Sequence, residues 1–285
     1  MKLLLFSFFI SFSFFAQIPD SDIWLFQLEK KDKKLIYTNP ININNRIGYD
    51  NQPAFMLDGK SILYASIKES IKSDIYQYMI QSKVHKQITK TENDEFSPTV
   101  LPDGLGFSSI VVEKDSSQRV WQFNWDGTFN KVLSEEADSV AYHTWIGRDT
   151  MLYLKLTKPS TLRAINIKTN EDVWICNNPS RAFKKIGTSQ NFMYAIKDSI
   201  SMAFRIYNPI LRESKLYATF PSVNEDFIWN SELGLIKSEN SDLLRYNELT
   251  KTWDLLFSFS NLGIKKITRF VFDPKNKQLA IVSNL

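Results

Sequence analysis

The sequence predicts an all-β chain, a six-bladed β-propeller of four-stranded antiparallel blades closed by pairing of N- and C-terminal strands in one blade. Three observations carry this. An Asp-rich turn followed by a short aromatic-aliphatic strand pair returns at a spacing of about 40 to 50 residues, the period of a propeller blade. Apolar and polar residues alternate over runs of about five to eight positions bounded by Asp-Gly, Asn-Pro or Ser-Asn turns, and helical periodicity is absent. The order of strand types along the chain is rotated, so that the two ends complete one blade. A blade cannot bury its faces alone, so neighbouring blades must supply the core.

Taken in order, the chain opens on a third and a fourth strand over 23–28 and 34–37. The turn between them, Lys30-Lys31-Asp32-Lys33-Lys34, is the densest positive stretch and reads as a solvated hairpin turn. The first complete repeat begins near Pro53 and places strands over 61–64, 75–80 and 86–89, with Asp58-Gly59 as its first turn. The second begins near Ser97, turns at Asp103-Gly104, and continues over 106–111, 120–125 and 131–133. The third begins near His143 and continues over 151–156, 162–167 and 173–175, its turn now Gly147-Arg148-Asp149. The fourth begins near Phe183, turns at Gly187-Thr188-Ser189-Gln190, and continues over 192–196, 204–208 and 216–219. The fifth begins near Asp226 and continues over 234–237, 243–247 and 253–257. The chain ends on a first and a second strand near Thr268 and over 278–282, joined by Asp273-Pro274-Lys275-Asn276. All these turns are built from residues that tolerate tight or left-handed backbone. Seven blades is the competing count, if two weak repeats have been merged. Trimming the last residues, up to Leu285, is expected to open the ring.

At 285 residues, six blades of roughly 42 residues each use nearly the whole chain, so 17–285 is expected to be a single propeller domain. The 21 Phe, 11 Tyr and 7 Trp supply ample core material, and the 9 Gly and 10 Pro leave little for flexible linkers. The formal charge of +4 comes from scattered residues, 35 basic against 31 acidic, which argues against nucleic acid as a partner. Residues 1–16 read as a signal peptide: Met1-Lys2, an apolar run from Leu3 to Phe15 broken only by Ser, and Ala16 at the cut. That run of about 13 residues is too short for a stable membrane anchor. The product is therefore expected to be secreted or periplasmic, with no stable membrane insertion after cleavage. Cys176, the single cysteine, has no partner for an internal disulfide and sits in a strand-like run as an inert buried thiol.

The segment Phe55-Met56-Leu57-Asp58-Gly59-Lys60-Ser61-Ile62-Leu63-Tyr64-Ala65-Ser66, with Asp74-Ile75-Tyr76 and Gln87-Ile88-Thr89 after it, resembles the TolB-like (WD40-like) propeller repeat. The resemblance is good over 50–130, recurs weakly at Asp22-Ile23-Trp24 and Phe272-Asp273-Pro274, and fades between 140 and 260. It specifies a blade and no activity. It implies an exported six-bladed propeller that binds another macromolecule, without the separate N-terminal domain of the family's founding member, for which this chain has no room.

Asp58, Asp103 and Asp273 recur at one point of the repeat and are expected to cap their own turns; Asp22, Asp74 and Asp242, just before third strands, are expected to hold blade-to-blade loops. The entrances of the innermost strands should face the central channel. Asp50, Asn51, Asp94, Glu95, His143, Arg181, Glu225 and Asp226 stand there as candidate partner- or ligand-binding residues, with Tyr142 beside His143. Several acids around one funnel would repel one another unless a cation, an arginine or a ligand amine sat among them. Solvated loop ends, a polar ligand or peptide, and a metal remain open readings of this cluster. No catalytic residues, metal ligands or cofactor are assigned. His85 and His143 are the two histidines and lack the spacing of a zinc site; no G-x-S-x-G elbow occurs; Trp125-Asp126-Gly127-Thr128-Phe129 is a hairpin turn rather than a sialidase repeat. Trp24, Tyr76, Trp121, Trp145, Trp229 and Trp253 are expected to pack between blades. The function expected is a non-enzymatic scaffold binding a protein or peptide of the cell envelope. The alternative is a metal-dependent hydrolase, lyase or lactonase with a channel-bound divalent cation, and a carbohydrate-binding module is a third reading.

Overall fold

The computed structural model describes residues 20–32, 34–68, 72–221 and 224–284; the leader read in 1–16 and the terminal Leu285 lie outside them. In chain order the strands begin with β1 (Ser21–Lys31) and β2 (Lys34–Asn42), the two outer strands of the blade that closes the ring. The first complete blade is β3 (Tyr49–Phe55), β4 (Ser61–Ile67), β5 (Asp74–Met79) and β6 (Val84–Gln87). The second is β7 (Asp94–Val100), β8 (Phe107–Val112), β9 (Gln118–Phe123) and β10 (Phe129–Val132). The third is β11 (Val140–Trp145), β12 (Thr150–Lys155), β13 (Thr161–Asn166) and β14 (Asp172–Asn177). The fourth is β15 (Pro179–Lys185), β16 (Phe192–Lys197), β17 (Met202–Asn208) and β18 (Glu213–Phe220). The fifth is β19 (Phe227–Asn230), β20 (Gly234–Glu239), β21 (Asp242–Asn247) and β22 (Thr252–Ser258). After a single 3-10 turn at Ser260–Leu262, β23 (Ile267–Phe272) and β24 (Gln278–Asn284) end the described chain.

Six blades result, and the two ends share the last one. β24 pairs antiparallel with β23 on one side and with β1 on the other, from Ser21 opposite Asn284 to Gln27 opposite Gln278. A parallel bridge between Ser21 and Tyr49, with Ser21 N–H donating to Gly48 O at 3.0 Å, then joins the closing blade to the first. No sheet edge is left open at the seam.

Alternation explains the packing. The second strand of each blade is buried on both faces, as the continuous apolar runs Ile62-Leu63-Tyr64-Ala65 and Met151-Leu152-Tyr153-Leu154 require. Among the described residues most buried apolar side chains fall into six clusters, and each spans two neighbouring blades. The cluster at the closing seam shows the pattern: Ile228, Ile236, Leu243 and Phe257 of the fifth blade meet Phe26, Phe270, Leu279 and Ile281 of the sixth. Tryptophans stitch some of these seams as well as filling them: Trp145 Nε1 donates to Ser108 Oγ at 3.0 Å and Trp253 Nε1 to Thr219 O at 3.1 Å. Gly127 is required where the second blade's last hairpin abuts the first: a Cβ there would lie 1.9 Å from Ile88 O, and φ is +87°.

The turn aspartates cap as expected. Asp58 Oδ1 accepts from Lys60 N, Asp103 Oδ1 from Leu105 N, and Asp273 Oδ1 from Lys277 N and Gln278 N. Of the aspartates before third strands, Asp74 meets the expectation, lying against Glu95 of the next blade, and the other two differ. Asp22 accepts from Asn42 of β2, and Asp242 from Ser258 of β22, so they tie third strand to fourth within one blade. The serine one residue earlier reaches the next blade in two of the three cases: Ser73 Oγ donates to Glu95 O at 2.7 Å and Ser21 Oγ to Asp50 O at 3.2 Å, whereas Ser241 Oγ donates to its neighbour Asp242.

Candidate functional site

Five of the six innermost strands carry a register shift near their start: Asn51/Ala54, Phe96/Thr99, Val140/Tyr142, Pro179/Phe183 and Ile267/Arg269. A bulge bends the strand and re-aims the side chains around it. At Gln52 and Ser97 the backbone is left-handed, with φ of 59° and 52°, and Gln52 Oε1 accepts from Ser97 N at 2.7 Å across the two blades. The side chains delivered to the axis come from each inner strand or its first flanking residue: Gln52, Ser97, Tyr142, Arg181, Asp226 and Arg269. With Lys184, His143 and apolar walls from Pro53, Pro98, Phe183 and Phe270, they line a cavity of about 340 Å³ that is open to solvent. A second concavity, lined by Glu225, Glu239, Lys266 and Asn284, shares Tyr142 and Arg181 with it and lies toward the strand entrances.

The charges in the cavity are three cations, Arg181, Lys184 and Arg269, and one carboxylate, Asp226. Arg269 Nε donates to Asn51 Oδ1 at 3.0 Å and Nη2 to Tyr142 OH at 3.3 Å, and the guanidinium lies 5.2 Å from the Tyr142 ring centre. Arg181 donates from Nη2 to Thr268 O, while its Nε is buried without a partner. Burial pushes the Lys184 ammonium toward its neutral form, Arg269 adds to that, and Asp226 opposes it. Burial likewise raises the Asp226 carboxyl, against the pull of Arg181, Arg269 and Lys184; its Oδ2 accepts from Phe270 N at 2.8 Å. Tyr49 is pushed up to about 12, chiefly by burial.

The residues expected to ring the funnel separate into three groups. His143, Arg181 and Asp226 line the cavity, and Asn51 sits behind it holding Arg269. Glu225 lies at the strand-entrance mouth, paired with Lys197 and accepting from Arg181 N at 3.0 Å. Asp50, Asp94 and Glu95 do not gather at the cavity: they are held at blade seams. Asp50, fully buried, accepts from Arg46 at 2.8 Å and Ser66 at 2.6 Å. Asp94 Oδ1 accepts from Ser73 N at 2.7 Å. Glu95, also fully buried, accepts from Thr89 at 2.9 Å and from Thr91, with Asp74 beside it; burial is the main cause that raises its carboxyl to about 7. The expected ring of acids is thus replaced by a predominantly basic one. Sequence reasoning missed Lys184 and Arg269. The available signal was register: both fall in innermost strands, close to the level of His143 and Asp226.

A divalent cation does not fit this donor set. The one carboxylate of the cavity is surrounded by three cations, and among the described residues no three His, Cys, Asp or Glu side chains converge. Ser108 Oγ and His143 Nε2 are 2.8 Å apart, the spacing of a nucleophile and its base. Ser108 is fully buried and its oxygen also receives Trp145 Nε1, His143 Nδ1 has no orienting partner, and burial lowers the imidazole to about 3. This pair is a packed seam contact and not a charge-relay dyad.

No protein-family model matches the chain, and no curated protein matches it. Solved structures do. A putative TolB from Agrobacterium tumefaciens superposes with a TM-score of 0.67 at 8% identity, covering 94% of this chain and 99% of that one. A chain of the nidogen/laminin complex gives 0.63 at 11% identity over 92% and 98%. A gluconolactonase from Xanthomonas campestris gives 0.63 at 7% identity over 91% and 95%. At these identities the likeness is one of fold, and the same fold serves a binding protein and an enzyme alike. The protein is a six-bladed β-propeller with the architecture of the TolB-like propellers, its ring closed by its own two ends.

Proposed function

We propose that the chain is a non-enzymatic interaction platform of the cell envelope, reached by means of the leader in 1–16, that takes up a segment of a partner protein or peptide at its central channel. The observation that carries this reading is the cavity on the axis: about 340 Å³, walled by proline and phenylalanine, with a few fixed polar groups. That composition suits recognition, where apolar walls supply affinity and a few oriented charges supply specificity. The likeness to a TolB propeller and to a propeller found in the nidogen/laminin complex supports it. The likeness to a gluconolactonase favours the enzymatic alternative, but the cavity's charge is the reverse of what a cation-assisted hydrolase, lyase or lactonase needs.

The test is site-specific photocrosslinking in envelope extracts. A photoreactive residue at Pro274, on the cavity rim, should give one discrete protein adduct, and the same residue at the fully exposed outer position Leu249 should not. Absence of any adduct specific to the rim would remove the platform reading.

A further inference from the structure

The cavity holds more positive charge than its own residues neutralise. Among the described residues none of Arg181, Lys184 and Arg269 makes a contact ion pair, and Lys184 Nζ has no hydrogen-bond partner. Arg269 uses two of its N–H groups on Asn51 and Tyr142, which fixes the plane of the guanidinium and leaves its remaining donors unclaimed. Arg181 is anchored through Nη2 and keeps a buried, unpartnered Nε–H. Buried donors are almost always satisfied, so the orphaned Arg181 Nε–H and three cations faced by a single carboxylate around one cavity point to a missing acceptor.

We infer that the central channel binds a carboxylate, clasped by Arg269, Arg181 and Lys184. This rests on reading the channel as the docking site and names the chemistry of what docks. Arginine's planar fork matches a planar carboxylate, and the low-dielectric walls of Phe183 and Phe270 strengthen the attraction. Asp226 on the same cavity disfavours the second negative charge of a phosphate and offers an acceptor to a hydroxyl or amide next to the bound carboxylate. The carboxylate could come from a peptide's chain end or from a free sugar acid, which share this chemistry and differ in the rest of the ligand.

The experiment compares ligands that differ only in the acid group, by calorimetry and thermal shift on the full mature chain at low ionic strength. N-acetyl-Gly-Gly-Phe is set against its C-terminal amide, glucuronate against glucose, and inorganic phosphate is run beside them. One of the two acids should bind while its neutral counterpart binds at least tenfold more weakly, and the acid that binds identifies the source. Arg269→Gln and Lys184→Gln, checked for wild-type melting without ligand, should each weaken that binding by tenfold or more. Equal behaviour of acid and neutral forms, equal binding by wild type and both variants, or tighter binding of phosphate than of either acid would overturn the inference. A rim crosslink that survives unchanged in Arg269→Gln would overturn it while leaving the platform reading standing. Carboxylate binding without any rim crosslink would do the reverse.

Discussion

Closure by β24 is the interaction on which the ring depends, and Ile281→Ala measures it. Ile281 is fully buried, lies opposite Trp24 across the β1–β24 ladder, and belongs to the cluster that joins the fifth and sixth blades. The substitution removes three carbons from water-excluded packing, about 2.4 kcal/mol at about 0.8 kcal/mol each. A residual cavity of up to about 80 Å³ adds up to about 2 kcal/mol, so the loss should fall near 4 kcal/mol, within the usual range of about 2–5 for such truncations. Against a total stability of about 5–15 kcal/mol this is a large fraction. It should lower Tm by roughly 10 °C for a chain of this size. Urea titration followed by tryptophan fluorescence reads it, with Trp24 as the local reporter. Leu249→Ala, 95% exposed, is the control and should stay within about 0.5 kcal/mol. A chain ending at Asn276 loses β24 entirely and should show no cooperative melt. If that truncated chain melts like the full one, or if Ile281→Ala changes stability no more than the control, head-to-tail closure is not what holds the ring together.

Three further outcomes follow from buried groups. Glu95 has a folded-state carboxyl raised to about 7, above its unfolded value, mainly by burial. Its contribution to stability is therefore present below the unfolded pKa and is lost as pH rises through about 7; Glu95→Gln, which mimics the protonated form, should melt above wild type at pH 8 and level with it at pH 5. Lys237 is fully buried, with Nζ 2.8 Å from Glu239 and 3.3 Å from the Phe220 ring centre. Glu239→Ala should destabilise by about 3 kcal/mol because it strands the ammonium, and adding Lys237→Met should restore most of the loss in a chemical denaturation series. Cys176 is buried and pushed up to about 12 by that burial. A thiol-specific chromophoric disulfide should label it in urea but not in native buffer, and rapid native labelling would show that the third blade opens.

The ring was legible in the sequence because a propeller repeats its constraints. Runs such as 61–64 and 192–196 read as strands between turn signals, with Asp58-Gly59 ahead of the first, and the structure shows them covered on both sides. Even the faded repeats between 140 and 260 kept this alternation. The cavity was legible only in part, because strand position alone does not say which side chain reaches the axis. The bulges at Asn51/Ala54 and Phe96/Thr99 turn Gln52 and Ser97 inward and leave Asp50 and Glu95 in the seams. Bulges of this kind come from backbone geometry shared between neighbouring strands, and residues such as Gln52 and Ser97 carry no composition that announces left-handed φ. Arg269 and Lys184 stayed hidden for the same reason: each reads locally as the polar member of an alternating strand, and only assembly of all the blades brings the two together.

Because one edge of β1 finds its ladder partner in Gln278 to Asn284, while its other edge pairs with β2, synthesis must reach β24 before the circle can be sealed. Any shorter nascent length is an open arc whose first flank shows Phe26 and Leu28 without the partners of the fifth and sixth blades that cover them in the closed ring. A stop before β24 or a nick that frees it therefore does not yield a slightly smaller protein; it yields a sticky crescent, and a quality-control protease that removes that one strand would decide the fate of all the rest.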